Sequence, residues 1–201
     1  LVNARARGMA ESNEAWSHAI RQVLAGHDET PRIVVYDDVV AGVLPSYARA
    51  NGTAALELTY WHFAATVDRI VTGRRHATRS LAAAYHALKG AGIVRDPASL
   101  CGIALIDFAR TARARLASMA SDLDRLEDSM LSIGDGWAKL DLAGRIGQMR
   151  REAVELRRAL APVARGLDEN EDGLPDWFDG PELDTARSAI HGVLDDIAAL
   201  T

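Results

Sequence analysis

Two apolar series organise the second half of the chain. The first runs Leu105, Ala109, Ala112, Leu116, Met119, Leu123, Leu126, Met130 and Ile133; the second runs Leu142, Ile146, Met149, Ala153, Leu156, Leu160, Val163 and Leu167. Steps of four and three residues alternate in both, a mean of about 3.5, which keeps one stripe turned toward a partner helix at a shallow crossing angle. Gly134-Asp135-Gly136 breaks the pattern between them, so an antiparallel helical hairpin roughly 40–50 Å long is predicted from the rise per residue. Asp96-Pro97 marks the start of its first helix, with Asp as cap and Pro at the first helical position. Pro162 lies inside the second series and predicts a kink near Arg158. A last stripe, Ile190, Val193, Leu194 and Ile197, predicts a helix over about 182–200.

The first half alternates differently. Ser12 or Asn13 caps an expected helix to about Gly26, with Trp16, Ile20, Val23 and Leu24 on its buried side. Valine-rich runs at Arg32–Asp37 and Val39–Ser46 flank Asp37-Asp38. Leu56, Leu58 and Tyr60 alternate with polar neighbours, and Thr66–Thr72 alternates again through Val67, Arg69 and Val71. Period-two runs separated by turn residues predict four short strands in an antiparallel meander. A short helix follows at Arg79–Lys89, ended by Gly90-Ala91-Gly92. The fold class is therefore α+β, a small mostly antiparallel sheet followed by long helices. The chain divides into an α/β part over 1–95, a two-helix arm with an acidic connector over 96–180, and the start of a further helix over 181–201.

Composition narrows the function. The 201 residues carry a net charge of −5, and the basic pairs Arg74-Arg75 and Arg150-Arg151 lack aromatic neighbours, so nucleic-acid binding is not expected. The single cysteine, Cys101, excludes an internal disulfide framework and sits among apolar residues. No signal peptide is visible, and no apolar run approaches the roughly 20 residues of a membrane helix, so the chain as given is expected to be soluble. Phosphate-loop, nucleophile-elbow and zinc-protease motifs are absent, and the six histidines show no metal-site spacing. An enzyme is not expected.

One stretch has ligand-like spacing. From Asp168 to Asp184 there are eight acidic residues and no basic one. Asp168-x-Asn170-x-Asp172-Gly173-x-x-Asp176-x-x-Asp179 places oxygens where a calcium loop needs them, with glycine at the bend. Pro175 stands where such loops require a backbone N–H, which favours a solvated acidic turn instead. Asp124 and Asp128 share a helix face, but the seam residues Leu123, Leu126 and Met130 lie opposite, as on a charged wet face.

Several of these stretches together are similar to CorA-type divalent-cation transporters, nearest to the ZntB zinc-transporter branch. Ser121–Leu131 (SDLDRLEDSML) resembles the end of the first arm helix. Met149–Val163 (MRREAVELRRALAPV) resembles the second, including its late proline. Leu174–Phe178 (LPDWF) resembles the connector before the stalk helix, and Glu29–Arg32 and Val71–Arg75 resemble the edges of strands. The resemblance implies a cytoplasmic α/β/α sandwich with two arm helices and a stalk leading to the inner membrane, assembled as a homopentameric funnel. The membrane helices and their Gly-Met-Asn signature are missing from these residues, so the chain as given cannot conduct ions. A divalent cation, Zn2+ or Mg2+, is implied as a regulator between protomers and not as a requirement for folding. On chemistry alone the candidate ligands are Asp168, Glu169, Asp172, Asp176, Asp179, Glu182 and Asp184, with Asp195 and Asp196 on the stalk. The alternative is a helical-arm interaction module without transport activity.

Overall fold

In a computed structural model, residues 21, 23–24, 28–49, 55–89, 96–132, 137–168 and 173–200 are described. The elements are β1 (Arg32–Tyr36), β2 (Val39–Arg49), β3 (Leu56–Thr66), β4 (Arg69–Arg74), α1 (Arg79–Lys89), α2 (Pro97–Ser132), α3 (Trp137–Asp168) and α4 (Pro181–Leu200). The strands form an antiparallel sheet in the order β1-β2-β3-β4, as the alternation predicts. One boundary differs. The alternation from Thr66 to Thr72 crosses a turn: β3 continues to Thr66, Val67-Asp68 make a two-residue connection, and β4 begins at Arg69. Val67 therefore points outward, 63% exposed, at a hairpin tip. The other hairpin turns at Asp37-Asp38, where Asp37 has φ 51°, a left-handed conformation that a short polar side chain tolerates.

The register sorts the side chains by face. Val40, Gly42 and Leu44 pair with Ala65, Phe63 and Trp61, and this face meets the long helices. Ala41 pairs with Ala64, and both pack with Val23 from the helical residues near the N-terminus. The sheet is thus covered on both sides, which is the expected α/β/α arrangement. At Gly42 the ring of Phe63 and the carbonyl of Arg32 occupy the space a Cβ would need, so only glycine fits. Ser46 and Ser80, both fully buried, satisfy each other: the Ser46 hydroxyl donates to Ser80 Oγ at 2.9 Å and the Ser80 N–H to Ser46 Oγ at 3.2 Å. This pair fastens α1 to β2.

Entry to β1 is set by Asp28. Its carboxylate accepts the Thr30 N–H at 2.9 Å and a bond from Arg32 Nη1 at 2.5 Å, while its carbonyl meets His62 Nε2 at 2.9 Å. Hydrogen bonds from Thr30 and then Arg32 pull the Asp28 carboxyl from 3.8 down to about 2. A carboxyl with a folded pKa below its unfolded one stabilises the fold above the unfolded value and stops doing so as pH falls through the folded value. Acidification from about pH 4 to pH 2 is expected to loosen this corner, and Asp28→Asn to remove that part of the pH dependence. Urea midpoints across that range, wild type against variant, measure it; identical profiles would refute the assignment.

The Asp96-Pro97 start holds as read. Asp96 Oδ1 accepts the Ser99 N–H at 2.7 Å, and α2 then runs 36 residues, about 54 Å by its rise. Of the apolar seam, Leu105, Ala109, Ala112, Leu116 and Leu126 are buried on α2, and Leu142, Ala153, Leu156, Leu160, Val163 and Leu167 on α3. Asp124, Asp128, Arg150, Arg151, Arg157 and Arg158 are exposed, as a wet face should be. Along its lower half α2 also carries α4, which runs in the same direction and packs against it more extensively than α3 does. Gly102 permits this: a Cβ there would lie 2.6 Å from the carbonyl carbon of Glu182. Gly134-Asp135-Gly136, the expected reversal, falls outside the described residues, as does most of the expected helix from Ser12.

Candidate functional site

The acidic connector follows α3, which ends at Asp168, and its Leu174 packs against the core. Phe178 anchors it. The side chain is 1% exposed and stacks on Phe63 with ring centroids 6.1 Å apart and planes 8° from parallel, and Trp177 meets it edge-on at 5.5 Å. The Phe178 N–H donates to the Pro175 carbonyl at 2.7 Å, closing a turn that leaves Asp176 and Asp179 exposed. Gly180, at φ 149°, then lets the chain swing into α4, whose first residue is Pro181. Glu182 and Asp184 occupy the first turn, where carboxylates complement the positive end of the helix.

The structure disperses the candidate ligands. Asp168 Oδ2 lies 2.8 Å from His191 Nε2, and Asp168 Oδ1 lies 3.5 Å from Arg187. Asp184 Oδ1 accepts from Arg187 Nη1 at 2.6 Å, Asp196 from Arg113 Nε at 3.1 Å, and Glu182 from the Ser99 hydroxyl at 3.3 Å. Asp176, Asp179 and Asp195 are exposed. Glu169 and Asp172 lie outside the described residues, and with them two oxygens of the calcium-loop spacing, those of Asn170 and Asp172. Among the described residues no group of three or more His, Cys, Asp or Glu side chains converges as a metal site.

What draws Asp168 and Asp184 together is a cation the sequence reading did not single out. Arg187 donates through Nε and Nη2 to the Leu167 carbonyl at 3.2 and 2.9 Å while holding both carboxylates. Carbonyls in the last turn of a helix lack partners within it, so this guanidinium caps α3 and ties it to α4. The signal was present: Asp184 and Arg187 stand three apart on one helix face. Arg113, which pairs with Asp196, is the corresponding link between α2 and α4.

A cleft of about 450 Å³ opens where the arm leaves the sheet. Arg115 is among the residues that line it. It donates through Nε to Glu152 of α3 at 2.8 Å and through Nη1 to the Leu56 carbonyl of β3 at 3.2 Å, and its guanidinium lies 5.3 Å from the Tyr47 ring centroid. Burial pushes the Tyr47 hydroxyl up to about 12, with Arg115 opposing the shift. The charges here join sheet to arm. Cys101 is buried, and burial pushes its thiol well above the usual range, so it is no nucleophile at neutral pH.

Among the described residues no helix is long and apolar enough to cross a membrane. A comparison with curated proteins finds no match. Solved structures resemble this fold closely. The full-length CmaX protein superposes with a TM-score of 0.80 at 14% identity, over 98% of this chain and 61% of that one. The chain thus spans about three-fifths of the length of that full-length protein. The ZntB cytoplasmic domain from Vibrio parahaemolyticus RIMD 2210633 gives 0.77 at 13% identity, covering 96% of this chain and 76% of that one. The soluble domain of CorA from Methanocaldococcus jannaschii gives 0.73 at 14%, covering 98% and 78%. These likenesses establish the fold, that of a CorA-like cytoplasmic domain. The family described as CorA-like Mg2+ transporter protein matches residues 16–201, the sheet, the arm and the helix seated on it; the chain belongs to that family.

Proposed function

We propose that this chain is the cytoplasmic part of a divalent-cation transporter, and that it regulates ion passage as one subunit of a homopentameric funnel at the inner membrane. The observation that carries the reading is the Arg187 junction, where the end of α3, Asp168 and Asp184 meet on one side chain at the base of α4. A change of charge at the connector acts there on the helix that leads away from the body. The ion is taken to bridge neighbouring subunits; among the described residues of one chain no three acidic or histidine side chains converge. Asp176, Asp179 and Asp195, exposed and outside the ion pairs among the described residues, are the groups that reach it. Bound cation relieves like-charge repulsion between subunits, and its loss frees α4 to move. Oxygen donors favour Mg2+, while the imidazole of His191 beside Asp168 suits Zn2+.

Calorimetric titration with MgCl2 and with ZnCl2 tests this. Replacing Asp176, Asp179 and Asp195 together by alanine is expected to weaken binding of the preferred ion by about tenfold or more, the scale of one lost charge-assisted ligand. Unchanged binding of both ions would remove these carboxylates from the mechanism.

A further inference from the structure

The cleft between sheet and arm carries more charge than its own contacts use. Arg115 of α2 and Glu152 of α3 neutralise each other there. Glu57 of β3 and Arg151 and Glu155 of α3 line the same cleft, are exposed, and make no ion pair among the described residues. Arg151 and Glu155 stand four apart on one helix face, the spacing of a favourable pair, yet they do not meet. Arg151 leans the other way. Its Nη1 lies 3.5 Å from where a Cβ at Gly147 would stand, one turn back along α3. The helix thus offers the cleft a positive and a negative group about 5.4 Å apart, one helical turn.

Leu56, Leu58 and Leu156 give the cleft an apolar wall. Tyr47 adds a hydroxyl. Its ring stacks on Phe108 with centroids 5.1 Å apart, and the residue is only 4% exposed although it lines the cleft. That hydroxyl makes no hydrogen bond among the described residues, and native proteins seldom leave so buried a polar group without a partner. With its pKa raised to about 12 it stays protonated at neutral pH, and so can donate. The volume, about 450 Å³, falls within the range of small-molecule sites, which combine apolar walls with a few placed polar groups.

We propose that this cleft binds a small zwitterion of the α-amino acid class with a branched apolar side chain. Arg151 and the Tyr47 hydroxyl take the carboxylate, Glu155 and Glu57 take the ammonium, and the leucines take the side chain. An anion alone would leave the glutamates unanswered, and a cation alone would leave Arg151. Bound there, the molecule joins β3 to α3. The site is separate from the Arg187 junction and does not depend on which ion the protein handles.

Equilibrium dialysis of the full-length protein against radiolabelled L-leucine tests this. Saturable binding of one molecule per chain is expected, with a dissociation constant of about 1 mM or below. Isocaproate, which lacks the ammonium, and isoamylamine, which lacks the carboxylate, are each expected to compete about tenfold less well than L-leucine itself. Glu57→Gln with Glu155→Gln should weaken L-leucine about tenfold and leave isocaproate unchanged, while Arg151→Gln should weaken L-leucine and leave isoamylamine unchanged. Tyr47→Phe keeps the stack on Phe108 and should keep the urea midpoint while weakening L-leucine about fivefold. No saturable binding up to about 10 mM would overturn the proposal. So would an analogue that competes as well as L-leucine, or binding that these substitutions leave unchanged.

Discussion

Replacing Phe178 with alanine is expected to destabilise the domain by about 3–5 kcal/mol, the range for emptying a buried aromatic site. Phe178 ties the connector to the sheet, stacked on Phe63 and flanked by Trp177. Its loss leaves a cavity against a ring that is itself completely buried. Because α4 starts three residues later, the damage is directional: the first turn of α4 should exchange its amides faster than the sheet does. Urea unfolding gives the magnitude and hydrogen exchange the location. A cost below about 1 kcal/mol, typical of an exposed position, would show that the connector is held by something other than this ring. Phe178→Leu, which keeps most of the volume, should recover much of the loss.

Gly102→Val carries the other large effect. The Cβ alone would stand 2.8 Å from the Glu182 carbonyl oxygen as well as 2.6 Å from its carbon, and these are backbone atoms that cannot rotate away. The two helices must separate, which also breaks the bond from Ser99 to Glu182. Overpacking of this kind costs about 1–3 kcal/mol and more when backbone must move, so about 3 kcal/mol is expected. Gly144→Ala on α3 is the control. Nothing lies within 4 Å of a Cβ there, and an exposed helical site should gain about 0.5–1 kcal/mol from the lost glycine flexibility. If both substitutions behave alike in thermal unfolding, the close approach of α2 and α4 is not a constraint.

The contrast between those glycines shows how far the sequence could be read. Burial periodicity made the arm legible, because an apolar stripe every 3.5 residues can be counted without knowing the partner. The partner itself could not be counted. Leu105, Ala109 and Ala112 suit α3 and α4 equally well, and it is Gly102, invisible to a hydrophobic pattern, that admits α4. The hairpin tip at Val67-Asp68 escaped for a related reason: a valine in a two-residue turn continues the alternation instead of interrupting it, so period two ran across a reversal. Asp37-Asp38, with its polar side chains, announced itself. In the candidate site the acidic residues were easy to enumerate, but their electrostatic environment was not. Asp168 and Asp196 meet cations 19 and 83 residues away along the chain, Arg187 and Arg113, and such long-range pairing is settled by packing.

The contact at Gly102 and Glu182 has a geometric consequence. Two helices whose backbones touch near one end resist sliding there but can tilt about that end. Leu200 lies eighteen residues beyond Glu182 on the same helix, roughly 27 Å at 1.5 Å per residue. Between them α4 is held to α2 by side chains and by the exposed Arg113–Asp196 pair, which yield sooner than backbone. A tilt of about 5° at the touching backbones would sweep Leu200 through an arc of roughly 2 Å, by the same rise. A rotation too small to break any contact near the connector arrives at the far end of the helix as a displacement approaching the length of a hydrogen bond.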